Sequence, residues 1–366
     1  MEIGVLGYPK TGKTTVFNAL TRGHAETASY VTGTLKPNVG MAKVPDKRLD
    51  GLVSLFHPQR LVPAEVQYSD IPGVGEDFGA SMGIHGELLN LLQRADALLH
   101  VTRNFHDPAL PYPKGGATPQ EAIPGMELEL ALVDLEIIGR RLERLSNLKK
   151  GAKPNEIAGF RQEESLLSRL KTGLEGETPV REQELSDEER KILNNYQLLT
   201  AKPMVIVLNV GEEALDESPN QDEILQATFG RPKVRCITMG GKLEMELAQL
   251  SPREEEEFRQ SLGAGNSGRE NVLRISYELL GLIPFFTVGP DEVRAWTITN
   301  GTPAVKAAGK IHSDLERGFI RAEVITYDDL TQCGSLAQAR TKGLLRQEGK
   351  GYIVKDGDII TFLFNV

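Results

Sequence analysis

Apolar positions recur along the chain with two different periods, and the changes of period mark its organisation. Residues 3–6 (IGVL) form a short apolar run that stops at glycine, the pattern of a buried strand. The following TTVFNALT sets Val16, Phe17 and Leu20 on one side, as an amphipathic helix does. Residues 97–105 (ALLHVTRNF) and the apolar run 204–208 read as further strands, the second of them central and parallel. Between these two, GMELELALVDLEIIGRRLERLSNL carries Leu128, Leu132, Leu135, Ile138, Leu142 and Leu145 at spacings of three and four. A second arm uses Leu166, Leu167, Leu170 and Leu174, then Ile192, Leu193, Tyr196 and Leu199. This predicts an antiparallel, partly coiled-coil helical hairpin, reached through the Pro- and Gly-rich loop HDPALPYPKGGATPQ. From about residue 283 the period shortens to two, in RAWTIT, FIRAEVITY and GYIVKDGDIITFLFNV, with turns at NGTP and KDGD.

The expected architecture is therefore α/β. A P-loop domain with a mainly parallel sheet spans residues 1–118 and 201–282, the hairpin is inserted at 119–200, and a β-rich module follows at 283–366. The 366 residues suffice for two or three domains, and 40% hydrophobic with 25% charged residues is ordinary for a globular protein. No apolar run approaches a membrane span, and residues 3–6 are too few for a signal peptide. Cys236 and Cys333 lie far apart without metal-ligand spacing, as reduced thiols of a cytoplasmic protein would. The net charge of −9 argues against a nucleic-acid binder of the strongly basic kind. SPREEEEFRQ reads as a solvated acidic helix start.

The chemistry begins at GYPKTGKTTVF. Gly7, Gly12, Lys13 and Thr14 fit G-x-x-x-x-G-K-[ST] between a strand and a helix. Such a loop wraps a triphosphate with backbone N–H groups, and its glycines permit close approach. The run Gly7, Tyr8, Pro9, Lys10, Thr11, Gly12, Lys13, Thr14 and Thr15 is the expected phosphate cradle. Lys13 would bridge the β- and γ-phosphates, and the Thr14 hydroxyl would ligate Mg²⁺.

Further pieces follow in order. The strand at 64–69 ends in Asp70-Ile71-Pro72-Gly73, where the Asp70 carboxylate can hold water on Mg²⁺ and the Gly73 N–H can meet the γ-phosphate. The preceding loop SYVTGTLKPNVG offers Thr34, or secondarily Thr32, as the threonine that caps Mg²⁺ and senses the γ-phosphate. The strand at 204–208 ends in Asn209-Val210-Gly211-Glu212. Most GTP-binding switch proteins have N-K-x-D here. Valine removes the stacking lysine stem, and glutamate misfits the bidentate contact to guanine, so guanine selection should be weakened; a plain strand end is the other reading. Gly241 and Lys242, in ITMGGK, are placed to clasp the base.

These residues together resemble the Obg-like ATPases known as YchF. The resemblance runs end to end and rests on N-x-x-E, on KPNVGMAKVPDKRLD (residues 36–50), and most specifically on residues 285–330. It implies a GTPase-like fold that prefers ATP, with GTP the alternative, and a C-terminal TGS domain of β-grasp type. It also implies a hydrophobic residue, here Val74, where related GTPases carry a water-orienting glutamine, so intrinsic hydrolysis should be slow. The partners implied are ATP and a ribosome or RNA particle, with the chain itself a monomer. From residue 283 onward there are ten basic and ten acidic residues, so any RNA-binding face would be local, around Lys310, His312, Arg317, Phe319 and Arg321. The family usually has Asn-Val where this chain has Lys10-Thr11, and its switch segment after D-x-x-G usually carries a lysine that is missing here. His106 is offset from the family's loop histidine and does not take its role, and His85 is a speculative substitute. A GTPase of the same build, or a nucleotide-gated binding module with negligible turnover, are the competing functions.

Overall fold

The IGVL run forms a strand because its three apolar side chains, Ile3, Val5 and Leu6, can all be buried between helices, and strands covered on both faces favour such runs. In the computed structural model the described residues are 1–23, 37–71, 84, 86–108, 110, 118–151, 153–215, 218–262 and 267–365. The strands are β1 Glu2–Leu6, β2 Asn38–Lys43, β3 Arg60–Val62, β4 Glu65–Asp70, β5 Ala97–Asn104, β6 Met204–Val210, β7 Val234–Met239, β8 Leu282–Thr287, β9 Glu292–Thr299, β10 Phe319–Thr326, β11 Arg346–Glu348 and β12 Asp358–Phe364.

Two sheets result. The first runs β2-β4-β1-β5-β6-β7, and the pairs β1–β4, β1–β5, β5–β6 and β6–β7 are all parallel. The second runs β11-β10-β12-β8-β9-β3 and mixes antiparallel pairs with the parallel pairs β12–β8 and β3–β9. The chain divides into two compact units, residues 1–40 with 67–272, and residues 41–66 with 273–366.

In the first unit one core joins Leu98, Ile206, Leu208 and Val210 of the sheet to Ile123, Met126, Leu130 and Val133 of the helix Pro119–Lys149. Farther along, the same helix turns Ile138 and Leu145 toward Leu166, Leu167, Leu170 and Leu174 of the helix Pro154–Glu175. These two helices, ending at Lys149 and starting at Pro154, pack against each other through those side chains. The leucine stripe read from the sequence is corrected here. Leu128 and Leu132 are 56% and 52% exposed, because the first half of the helix packs on the sheet with a different face. Asp134 anchors this helix to the chain entering β6, accepting from the Leu199 and Thr200 N–H groups at 2.8 Å each and the Thr200 hydroxyl at 2.6 Å. Burial pushes the Asp134 carboxyl up to about 6 against those hydrogen bonds.

In the second unit the short helix Lys47–Phe56 lies with the C-terminal sheet. Arg48 pairs with Asp46 and Asp356 and sits over the Phe286 ring, 5.2 Å from its centroid. Gly51 is required there, since a Cβ would fall 2.1 Å from the Tyr327 hydroxyl. The PDKR stretch of residues 45–48 thus serves packing and an ion-pair clamp. On the other face Phe285, Ile298, Phe319, Val324 and Ile360 pack with Ala304, Ala307 and Ala308 of the helix Ala304–Ile311.

Candidate nucleotide site

The loop after β1 owes its shape to two glycines. A Cβ on Gly7 would lie 2.5 Å from the Val101 carbonyl oxygen, and one on Gly12 would lie 2.2 Å from Asn209 Nδ2. Gly12 is left-handed at φ 83°, a conformation that glycine adopts freely, and its carbonyl accepts from the Val16 N–H at 2.9 Å as the helix Lys13–Thr21 begins. Thr11 is turned inward, its hydroxyl donating to the Tyr8 carbonyl at 2.9 Å. Lys10 also has a left-handed backbone, at φ 64°.

Parallel pairing carries Asp70 to this loop, because Val5 of β1 lies opposite Asp70 of β4. The Lys13 ammonium donates to Asp70 Oδ1, and the Thr14 hydroxyl donates to Oδ2 at 2.8 Å. Asp70 is only 4% exposed. A hydroxyl and a carboxylate this close make a hard-oxygen pair that fits Mg²⁺, an ion that takes few protein ligands and completes its shell with phosphate and water. Among the described residues no group of three or more His, Cys, Asp or Glu could hold a metal. Thr34, Thr32, Gly73, Val74 and His85 lie outside the described residues.

Asn209, at the end of β6, joins the two halves of the site. Its Nδ2 donates to the Thr11 carbonyl at 2.9 Å, and its Oδ1 accepts from the Gly241 N–H at 3.0 Å. Gly241 opens the helix Gly241–Leu247, and a side chain there would meet Asn209 Oδ1 at 2.7 Å. Glu212 and Lys242 are exposed, whereas Val210 points into the core at 3% exposure.

Three features escaped the sequence reading. Tyr8 is seated under the long helix, its hydroxyl so close to Gly125 that a Cβ there would come within 2.8 Å. Burial, reinforced by Glu129, pushes the Tyr8 phenol up to about 12. His100 is fully buried in β5, and burial pushes it down to about 4. SPREEEEFRQ is not uniformly solvated. Glu255 and Arg259 are buried, and Arg259 holds Glu244 through contacts of 3.0 and 2.6 Å and Glu255 at 3.1 Å. Glu244 also accepts from the Gly268 N–H at 2.7 Å, and Arg22, at the end of the P-loop helix, reaches Glu255 at 2.9 Å. An i, i+4 Glu–Arg pair was visible in the sequence, but its burial was not.

Two family models match the chain. One, described as a 50S ribosome-binding GTPase, covers residues 2–132, and the other, a YchF GTPase C-terminal family of unknown function, covers residues 282–365. The protein named ribosome-binding ATPase YchF of Bacillus subtilis is 40% identical, with all of both chains covered. The chain belongs to the YchF family. Another YchF, from Escherichia coli O157:H7, is 36% identical over 100% of this chain and 99% of its own. Obg-like ATPase 1 of Caenorhabditis elegans is 35% identical, over 100% and 92% respectively. A solved structure titled the Schizosaccharomyces pombe YchF GTPase superposes with a TM-score of 0.86 at 30% identity, covering 99% of this chain and 97% of that one. The YchF fold, a GTPase-like P-loop domain with a TGS-like C-terminal sheet, is thereby assigned to this chain. Among the described residues no helix is long and apolar enough to cross a membrane.

Proposed function

We propose that this YchF-family chain binds ATP with Mg²⁺, hydrolyses it slowly, and uses its nucleotide state to control docking on a ribosome or ribonucleoprotein. The observation that carries the reading is the meeting of Lys13, Thr14 and Asp70 at the mouth of the Gly7–Gly12 loop. The backbone from Gly7 to Thr15 wraps the phosphates. Thr14 and Asp70, with Thr34, hold the ion, which when bound neutralises phosphate charge. Gly73 meets the γ-phosphate. In hydrolysis a water oxygen bonds to the γ-phosphorus while the bond to the β,γ-bridging oxygen breaks. The electron pair stays on ADP, and the water proton passes to phosphate. Val74 can neither accept nor donate a hydrogen bond and cannot align that water, hence the low turnover.

The base side supports ATP. Asn209 fixes the strand end, Gly241 and Lys242 flank it, Val210 supplies no stem to stack on a base, and Glu212 replaces the aspartate that reads guanine. The names of the bacterial relatives supply the ribosome. The domains act as a nucleotide switch (1–118 and 201–282), a partner-contacting hairpin (119–200) and a TGS module (283–366), in a cytoplasmic monomer. The GTPase title of the fission-yeast structure keeps a second reading alive. Competition of ATP against GTP, with and without ribosomes, tests both. ATP should win and ribosomes should change its affinity or turnover; GTP binding tenfold tighter than ATP would establish the GTPase, and turnover undetectable even with ribosomes would establish a binding module.

A further inference from the structure

The helix Gly241–Leu247 has only seven residues, too few to be stable by itself in water, so its neighbours must set its direction. Leu243 and Leu247 press it onto the core, a contact with no directional preference. Two polar anchors supply the direction. Asn209 Oδ1 accepts from the Gly241 N–H at 3.0 Å. One turn further on, Glu244 is 4% exposed and accepts from both Nη atoms of Arg259, at 3.0 and 2.6 Å, and from the Gly268 N–H at 2.7 Å. A two-pronged guanidinium–carboxylate pair fixes geometry as well as charge. Lys242 lies between the two anchors in sequence and is exposed. Arg259 stands on the helix Pro252–Leu262 and also holds Glu255 at 3.1 Å, which Arg22, at the end of the P-loop helix, reaches at 2.9 Å.

We infer that Glu244 and Arg259 are positioning residues for base selection, because their buried ion pair holds the helix Gly241–Leu247 at the angle that sets Gly241 and Lys242 beside the base. This rests on the reading that Gly241 and Lys242 flank the base, and it deepens that reading by naming what keeps them there. With only the Gly241 anchor left, the helix can pivot about it and carry Lys242 with it. The Lys13–Asp70 and Thr14–Asp70 contacts on the phosphate side involve none of these residues and stay in place. Two apolar side chains would fill the same space without the cost of taking two charges out of water; what the ion pair adds is direction.

Glu244→Met combined with Arg259→Met separates positioning from stability. It leaves no lone buried charge, and Glu255 keeps Arg22 as its partner, so the chain should fold and melt close to the unmodified one. Titration calorimetry with ATP and with UTP then gives the ratio of the two affinities. That ratio should fall about tenfold, the scale on which residues of a coupled network act. A loss of stability alone scales both affinities by the same fraction of competent protein and leaves the ratio unmoved. Should the double variant not fold, Arg259→Lys carries the test. Its point charge keeps the pair but not the fork, and the ratio should fall about threefold. The inference is overturned if the folded double variant keeps the ratio within about twofold of the unmodified chain, or if Arg259→Lys in its stead leaves it unmoved. If the unmodified chain itself binds ATP and UTP equally, the placing of the base at Gly241 and Lys242 fails first and the inference falls with it.

Discussion

Replacing Asn209 by alanine removes a side chain that ties the Gly7–Gly12 loop to the start of the helix Gly241–Leu247. Two hydrogen bonds disappear, at 2.9 Å to the Thr11 carbonyl and 3.0 Å from the Gly241 N–H, and the side chain that makes them is 4% exposed. Each backbone group left without a partner in such a place costs about 1–3 kcal/mol. The sum is about 2–6 kcal/mol, and relaxation of the loop toward water brings the expected loss to about 2–3 kcal/mol. Asn209→Asp divides the effect. It keeps an acceptor for Gly241 but sets a carboxylate oxygen against the Thr11 carbonyl oxygen, so it strains the phosphate loop alone. Urea unfolding followed by circular dichroism measures the stability loss, and calorimetric titration with ATP measures the effect on the site. Both variants should lose affinity, because the loop must then be ordered by the ligand. If Asn209→Ala unfolds within about 0.5 kcal/mol of the unmodified chain and binds ATP within twofold, the bridge contributes nothing and the reasoning is refuted.

Base choice should rest on Glu212 more than on Val210. Glu212→Asp should shift the ATP-to-GTP affinity ratio toward GTP by about tenfold, the scale of one good charged hydrogen bond, in a competition assay; an unmoved ratio counts against the assignment. Val210→Lys should instead lower the melting temperature, because Val210 is in the core. His100 predicts a pH effect. Its folded value of about 4 lies below the 6.5 of an unfolded histidine, so the unfolded chain binds the proton first and stability is lost as pH falls from 6.5 toward 4. Asp134, raised to about 6, acts oppositely over much of that range. The difference between His100→Leu and the unmodified chain isolates the histidine. Going from pH 7 to pH 4 the variant should gain about 3 kcal/mol relative to the unmodified chain. A constant difference across that range would rule the effect out.

The phosphate side of the site was readable because its loop is contiguous. Four residues at fixed spacing, Gly7, Gly12, Lys13 and Thr14, specify it, and the strand that ends in Asp70 pairs directly with β1 in the sheet. The inward direction of Val210 was also implicit, since Met204, Ile206, Leu208 and Val210 share one face at period two and meet the same core. The hairpin was less legible. A spacing of three and four says that a helix has an apolar face, but not which partner each stretch of it meets. The helix Pro119–Lys149 changes partner midway, so Leu128 and Leu132 carry the expected spacing without the burial. The Glu244–Arg259–Glu255 cluster was hidden for a related reason: charged residues are assigned to solvent unless their counterions are known to be near, and Glu244 comes from a different helix than Glu255 and Arg259.

Residues 41–66 bring an unexpected order to the making of this protein. They belong to the unit completed by residues 273–366, giving its sheet the outer strand β3 and placing Arg48 over Phe286. A chain emerging from its N-terminus therefore exposes this segment about 200 residues before its sheet exists. The C-terminal unit cannot close early, however quickly its local hairpins form, because a loop of that span must be drawn in first. By the same logic a fragment cut just before β8 would leave β9 as a bare edge and Phe286 without the guanidinium above it. The last third of the sequence is thus a module only in company with a piece of the first.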